Sequence, residues 1–165
     1  MPQNKLTIKS CLARADELGV EIVGDVNFRG ECNKEDGELA TLHQKITFNF
    51  PEYADLAFHV PNEFTADKSK GNAKFAHIAK RKSKGVKSGM CDYVILPIRL
   101  GAPPFLCEMK RRDISLSLKT RKNKLHYLEQ IELLASQKQH GAIAFVSLGA
   151  EYAYQKFIEY VEKWK

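Results

Sequence analysis

Cys91-Asp92-Tyr93-Val94-Ile95-Leu96-Pro97 and Phe105-Leu106-Cys107-Glu108-Met109-Lys110 decide how this chain folds. Both are short apolar runs, split by Arg99-Leu100-Gly101-Ala102-Pro103-Pro104, whose Gly and paired Pro mark a turn. They read as neighbouring strands. Side chains alternate faces along a strand, so Leu106, Glu108 and Lys110 share one face and Phe105, Cys107 and Met109 the other. Asp92 opens the first run on the face of Val94 and Leu96. An antiparallel pairing then brings Asp92 beside Glu108 at one edge of a sheet, with Lys110 next to them.

An isolated Glu-x-Lys is most often a salt bridge at a strand end. Here it follows Gly85-Val86-Lys87-Ser88-Gly89-Met90-Cys91-Asp92, a strand and a turn, and more basic residues come after it. Two converging carboxylates repel each other. A hard divalent cation resolves that conflict, and Mg²⁺ commonly sits on one or two carboxylates plus phosphate oxygens. Lys110 supplies a point charge for a phosphate or for a hydroxide forming there.

Gly-Met-x-Asp, a strand, then Glu-x-Lys resembles the PD-(D/E)XK nuclease superfamily, and within it the phage-type VRR-NUC domain. The resemblance runs from about residue 38 to 160. It takes in Glu38 to Gln44 on a first helix, His59-Val60-Pro61-Asn62, Gly85 to Asp92, Glu108-Met109-Lys110-Arg111, Leu116-Ser117 and Gly141-Ala142-Ile143-Ala144-Phe145-Val146. Cys91 stands where the family usually has Pro, and Lys124 where it has Gln. The resemblance implies an α/β fold with a restriction-endonuclease-like core, a mixed central β-sheet flanked by helices. It implies Mg²⁺ or Mn²⁺ held by Asp92, Glu108 and the Met109 carbonyl, with Lys110 as the catalytic cation. It also implies Glu38 as a third carboxylate, often acting through water. Glu35 and Asp36 compete for that role, and a surface glutamate at a helix N-terminus is the plainer reading of Glu38. His59, Asn62 and Glu63 would lie near substrate or metal-bound water.

The chain has 165 residues, 44% hydrophobic and 28% charged, ordinary for one globular domain. Residues 1–35 fall outside the resemblance and read as a small N-terminal accessory element, a helix capped by Thr7 followed by one or two strands. Residues 36–165 form the nuclease-like domain. No apolar run is long enough to span a membrane, and the first residues lack a signal-peptide core, so a cytoplasmic protein is expected, in the host cytoplasm if phage-encoded. The four cysteines show no Cys-x-x-Cys spacing, which argues against zinc.

Net charge is +6, a modest lean toward polyanions. Lys80, Arg81, Lys82, Lys84, Lys87 and Ser88 lead into the Asp92 loop. Arg111, Arg112, Lys119 and Lys124 follow the Glu-x-Lys. A charge run is usually a solvated face, but these two flank one acidic point and suit phosphate contacts that position DNA without reading its sequence. Further helices are expected at 38–50, 125–139 and 151–165, and a buried strand at 142–148. The expected function is a metal-dependent DNA endonuclease, structure-selective in replication, recombination or repair. It would act on duplex or branched DNA, with a homodimer favoured by symmetric cuts. A non-catalytic DNA-binding or inhibitory module and an RNA nuclease are the alternatives.

Overall fold

Five strands make one mixed sheet in the order β1-β5-β4-β3-β2. The computed structural model describes residues 6–61, 83–85 and 89–165. In chain order the elements are α1 (Ile8–Glu17), β1 (Glu21–Val23), α2 (Glu35–Asn49), a 3₁₀ turn (Pro51–Leu56) and β2 (Ala57–His59). Then come β3 (Tyr93–Ile95), β4 (Phe105–Lys110), α3 (Ile114–Ser117), α4 (Arg121–Gln139), β5 (Ile143–Leu148) and α5 (Ala150–Trp164). β3 pairs antiparallel with β4, as the Gly-Pro turn predicts, and antiparallel with β2 on its other side. β5 runs parallel to β4 and to β1. A parallel pair needs a long crossover, which α3 and α4 supply between β4 and β5.

The alternation read from residues 105–110 sets the two cores. Leu106, Val94, Ala144 and Val146 pack with Cys11, Ala15, Tyr127, Ile131 and Leu134 under α1 and α4. Phe105, Cys107, Met109, Tyr93 and Phe145 pack with Leu42, Ile46, Phe157 and Tyr160 under α2 and α5. Burying each such large side chain contributes about 1.5–3 kcal/mol. β4 is central and buried along its whole length. β5, expected as a buried strand, is interior to the sheet because β1 covers its far edge.

Thr7 caps α1 as expected: its hydroxyl accepts from the Ser10 N–H, and Ser10 Oγ accepts from the Thr7 N–H. Residues 20–28 yield one three-residue strand, not two. Gly24 ends it at φ +125°, where a Cβ would sit 2.7 Å from Leu148 Cβ. β1 therefore joins the common sheet, and α1 sits in the α4-side core. Two helices start earlier than expected. α4 begins at Arg121 because Thr120 accepts the Asn123 N–H. α2 begins at Glu35, three residues upstream, with Glu35, Asp36 and Glu38 all in its first turn.

Candidate active site

The β3–β4 register pairs Tyr93 with Cys107, so its continuation by one residue sets Asp92 opposite Glu108. Residues directly opposite on an antiparallel pair point to the same face. Both lie on the α4 side. β3 ends before Asp92, and the side chain takes over the ladder: Asp92 Oδ2 accepts the Met109 N–H at 3.0 Å. The Asp92 carbonyl accepts from Val60 N–H at 2.8 Å and from His59 Nδ1 at 2.8 Å. That bond assigns the His59 proton to Nδ1, since the carbonyl can only accept. Asp92 is thus fixed to β2 and to β4 at once.

Glu108 is fully buried and Lys110 is 6% exposed. Glu108 Oε1 accepts from Lys110 Nζ at 2.7 Å and from Gln130 Nε2 at 2.6 Å. Its other oxygen, Oε2, has no hydrogen-bond donor among the described residues. Lys110 Nζ also lies 4.0 Å from Glu35 Oε2. Glu35 Oε1 accepts from Ser117 Oγ at 2.6 Å, and Ser117 Oγ accepts from the Arg111 N–H at 3.1 Å. One chain of contacts therefore joins α2, α3, α4 and β4 around Lys110.

Burial pushes the Glu108 carboxyl well above the usual range; Lys110 opposes the shift, while the charge and hydrogen-bonding contact of Asp92 add to it. For Lys110 burial works against the charged form, but Glu108, Glu35 and Asp92 outweigh it and hold the ammonium charged. Burial, then Glu108 and Asp92, push the Cys91 thiol up to about 12, so it is a neutral core group and no nucleophile.

Two contacting carboxyls, one of them with a buried oxygen lacking a donor, are a donor set that fits a hard cation such as Mg²⁺ or Mn²⁺. Among the described residues no group of three or more His, Cys, Asp or Glu can hold a metal ion. A cation here would need a backbone carbonyl, as the resemblance implies for Met109, and substrate or water oxygens beside the pair.

Glu38 does not join this cluster. It is 5% exposed, and its Oε2 accepts the Ala150 N–H at 2.7 Å, capping the N-terminus of α5. The earlier start of α2 turns Glu35, not Glu38, toward Lys110. Arg112 also departs: its guanidinium sits 4.5 Å over the Phe28 ring, in a cavity shared with Glu38 and apart from Lys110. Lys124 is half-buried and its charge acts on Cys11 of α1. Lys84 and Lys119 are exposed. Asn62, Glu63, Lys80, Arg81, Lys82, Lys87 and Ser88 lie outside the described residues.

Gln130 is the site residue that sequence reading missed. Its signal was a polar amide within the buried stripe of α4, between Tyr127 and Leu134. Gly89 braces it: at φ +79°, a Cβ there would meet the Gln130 backbone nitrogen at 3.3 Å, so the Asp92 loop lies directly on α4. A cleft of about 350 Å³ opens over Lys110 and Gln130, walled by Lys34, Glu35, Arg111, Asn123 and His126. Compared with known proteins, the chain matches no family model, no curated protein and no solved structure.

Proposed function

We propose that this chain is a metal-dependent DNA endonuclease of the PD-(D/E)XK kind, hydrolysing a phosphodiester to a 5′-phosphate and a 3′-hydroxyl. The observation that carries the reading is Asp92 set opposite Glu108, with Lys110 on Glu108 and a buried Glu108 oxygen left without a donor. A divalent ion, when bound, would polarise the scissile phosphate and lower the pKa of a bound water. Asp92 and Glu108 would hold it, with the Met109 carbonyl. Gln130 orients the Glu108 carboxylate, and His59 fixes the backbone that carries Asp92. Lys110, kept cationic by three carboxylates, stabilises charge on the attacking oxygen or the phosphoryl oxygens. The test is cleavage of labelled linear, nicked, flapped and branched DNA with Mg²⁺ or Mn²⁺ against EDTA, with RNA strands alongside. Metal-dependent cutting supports the reading, and none on any substrate removes it.

A second reading, a DNA-binding module without catalysis, draws on one observation. Lys110 already occupies one Glu108 oxygen at 2.7 Å, so the pair satisfies itself in part without any metal ion. Binding without cleavage in the same assay would favour it.

A further inference from the structure

Most described cations near an acid are paired: Arg14 with Glu17 and Glu132, Arg29 with Asp113, Lys45 with Glu151, Lys156 with Glu21. Arg111 is not. Among the described residues it has no ion-pair partner, although it adjoins Lys110 and lines the same cleft. Its Nη2 donates to the Cys32 carbonyl at 3.1 Å, which anchors one end of the guanidinium. Its Nε is buried without a hydrogen-bond partner. Its backbone N–H is held by Ser117 Oγ at 3.1 Å, so the residue is fixed at its base as well. Lys34, in the same lining, is likewise without an ion pair among the described residues.

Because Nε is sealed from the cleft, a ligand would meet the fork through Nη1, which has no hydrogen-bond partner among the described residues, and through the second hydrogen of Nη2; a half-buried arginine with such donors and no counter-ion is an incomplete arrangement. Its planar fork matches phosphate oxygens better than a point charge does. The cleft has the volume of a small-ligand site, enough for one nucleotide-sized group. Leu116 supplies an apolar wall, and Asn123 and His126 supply polar ones.

We propose that Arg111, with Lys34, seats a second phosphate of the bound nucleic-acid strand, distinct from the one attacked beside Lys110. The seat rests on the nuclease reading for its substrate class, but it is a binding feature and can be measured without cleavage. It takes either an internal phosphodiester or a terminal 5′-phosphate, both being phosphate monoanions or dianions that one fork can grip.

The experiment is fluorescence anisotropy of the full chain in EDTA with labelled single-stranded and duplex oligonucleotides. A single neutral methylphosphonate is moved along the strand, and a 5′-phosphate is compared with a 5′-hydroxyl. Wild type should lose about tenfold in affinity when one phosphate is neutralised, the size of one good charge-assisted contact. Arg111→Ala should lose a similar factor, show no further loss at that phosphate, and lower the log–log salt slope by about one. Arg111→Lys should restore the salt slope but not the full affinity. Sensitivity at an interior linkage identifies an internal phosphate, and sensitivity to the 5′-phosphate alone identifies a strand end. Circular dichroism and melting of the variants show that they fold. If Arg111→Ala binds as wild type, or the neutral-linkage loss is the same in both proteins, the seat does not exist. DNA binding with the Arg111 dependence but no cleavage under Mg²⁺ or Mn²⁺ would remove the nuclease and leave the seat; cleavage with Arg111 dispensable for binding would do the reverse.

Discussion

Asp92 Oδ2 accepts the backbone N–H of Met109, the residue between Glu108 and Lys110, at 3.0 Å. One hydrogen bond thus couples the two strands at the point where their acidic and basic side chains meet. The second Asp92 anchor, its carbonyl on Val60 N–H and His59, comes from the opposite neighbour, β2. Asp92 therefore has little freedom to drift from Glu108. A preorganised pair of this kind is what charge stabilisation in a reaction needs, since no reorganisation is then required as charge develops.

Lys110→Ala and Asp92→Ala should each lower DNA cleavage by about 10²-fold or more, the usual loss when a preorganised charge-stabilising group is removed. DNA binding should persist, because phosphate contacts elsewhere carry affinity. Single-turnover cleavage beside anisotropy in EDTA checks both. Full activity in either variant would strip that residue of its role.

The fully buried Glu108 carboxyl gives a signed pH prediction for the metal-free protein. Its folded pKa is raised above an ordinary value near 4.5. The folded state therefore binds the proton more tightly, so this contribution to stability is fully present below about pH 4.5 and is lost as pH rises through the folded value. Glu108→Gln removes that dependence. Urea unfolding in EDTA from pH 4 upward should show a steeper decline for wild type than for the variant. In the same samples Mg²⁺ or Mn²⁺ should stabilise the wild type, by about 2.7 kcal/mol at a hundred times Kd, and raise its melting temperature accordingly. Glu108→Gln should show little of that gain. Parallel pH curves, or equal metal stabilisation, would argue against a Glu108-centred cation site.

How much of this was legible in the sequence follows from which contacts are local. The alternation of residues 105–110 fixed which side chains share a face, and the short turn to 91–97 fixed their partner, so the Asp92–Glu108 juxtaposition could be read directly. The α2 boundary could not. Lys34 at its N-cap makes no side-chain capping bond, so no local signal marks the start, and a shift of three residues exchanges Glu35 for Glu38. The buried face of α4 does not follow hydrophobicity alone: Ile131, Leu134 and Ala135 turn in, but apolar Leu125 is exposed while Tyr127 and Gln130 are buried. Gln130 is drawn there by a buried carboxylate on a strand 22 residues away, which periodicity alone does not see. β1 depends likewise on pairing with β5 across the whole chain.

Gly89→Ala should act on the site through the backbone. A Cβ at φ +79° is strained, and it would also crowd the Glu129 and Gln130 backbone at 3.3 Å. Strain of this kind costs on the order of 1–3 kcal/mol. The loop can relieve it only by lifting off α4, which moves Asp92 relative to Glu108. Cleavage should therefore fall by more than the loss of folded protein accounts for, and the metal-induced rise in melting temperature should shrink. A variant that loses stability alone would show that the loop and the site are not coupled.

Glu35 and Glu38 separate a site role from a structural one within a single turn of α2. Glu38 is buried and accepts the first free N–H of α5, so Glu38→Ala leaves that donor unsatisfied in the interior and removes a negative charge from a helix N-terminus. The expected cost is about 1–3 kcal/mol of stability. Glu35 is half-buried, bonded to Ser117 and facing Lys110 across 4.0 Å. Glu35→Gln keeps an oxygen for the Ser117 hydroxyl and removes only the charge. Its stability should stay within about 0.5 kcal/mol of wild type, as for most substitutions without a buried loss. Its cleavage rate should drop, since Lys110 loses one of the three carboxylates that hold it cationic and in place. Urea unfolding and cleavage measured on both variants give opposite expected patterns. If Glu38→Ala proves stable but inactive, and Glu35→Gln stays active, the third carboxylate belongs at position 38 after all.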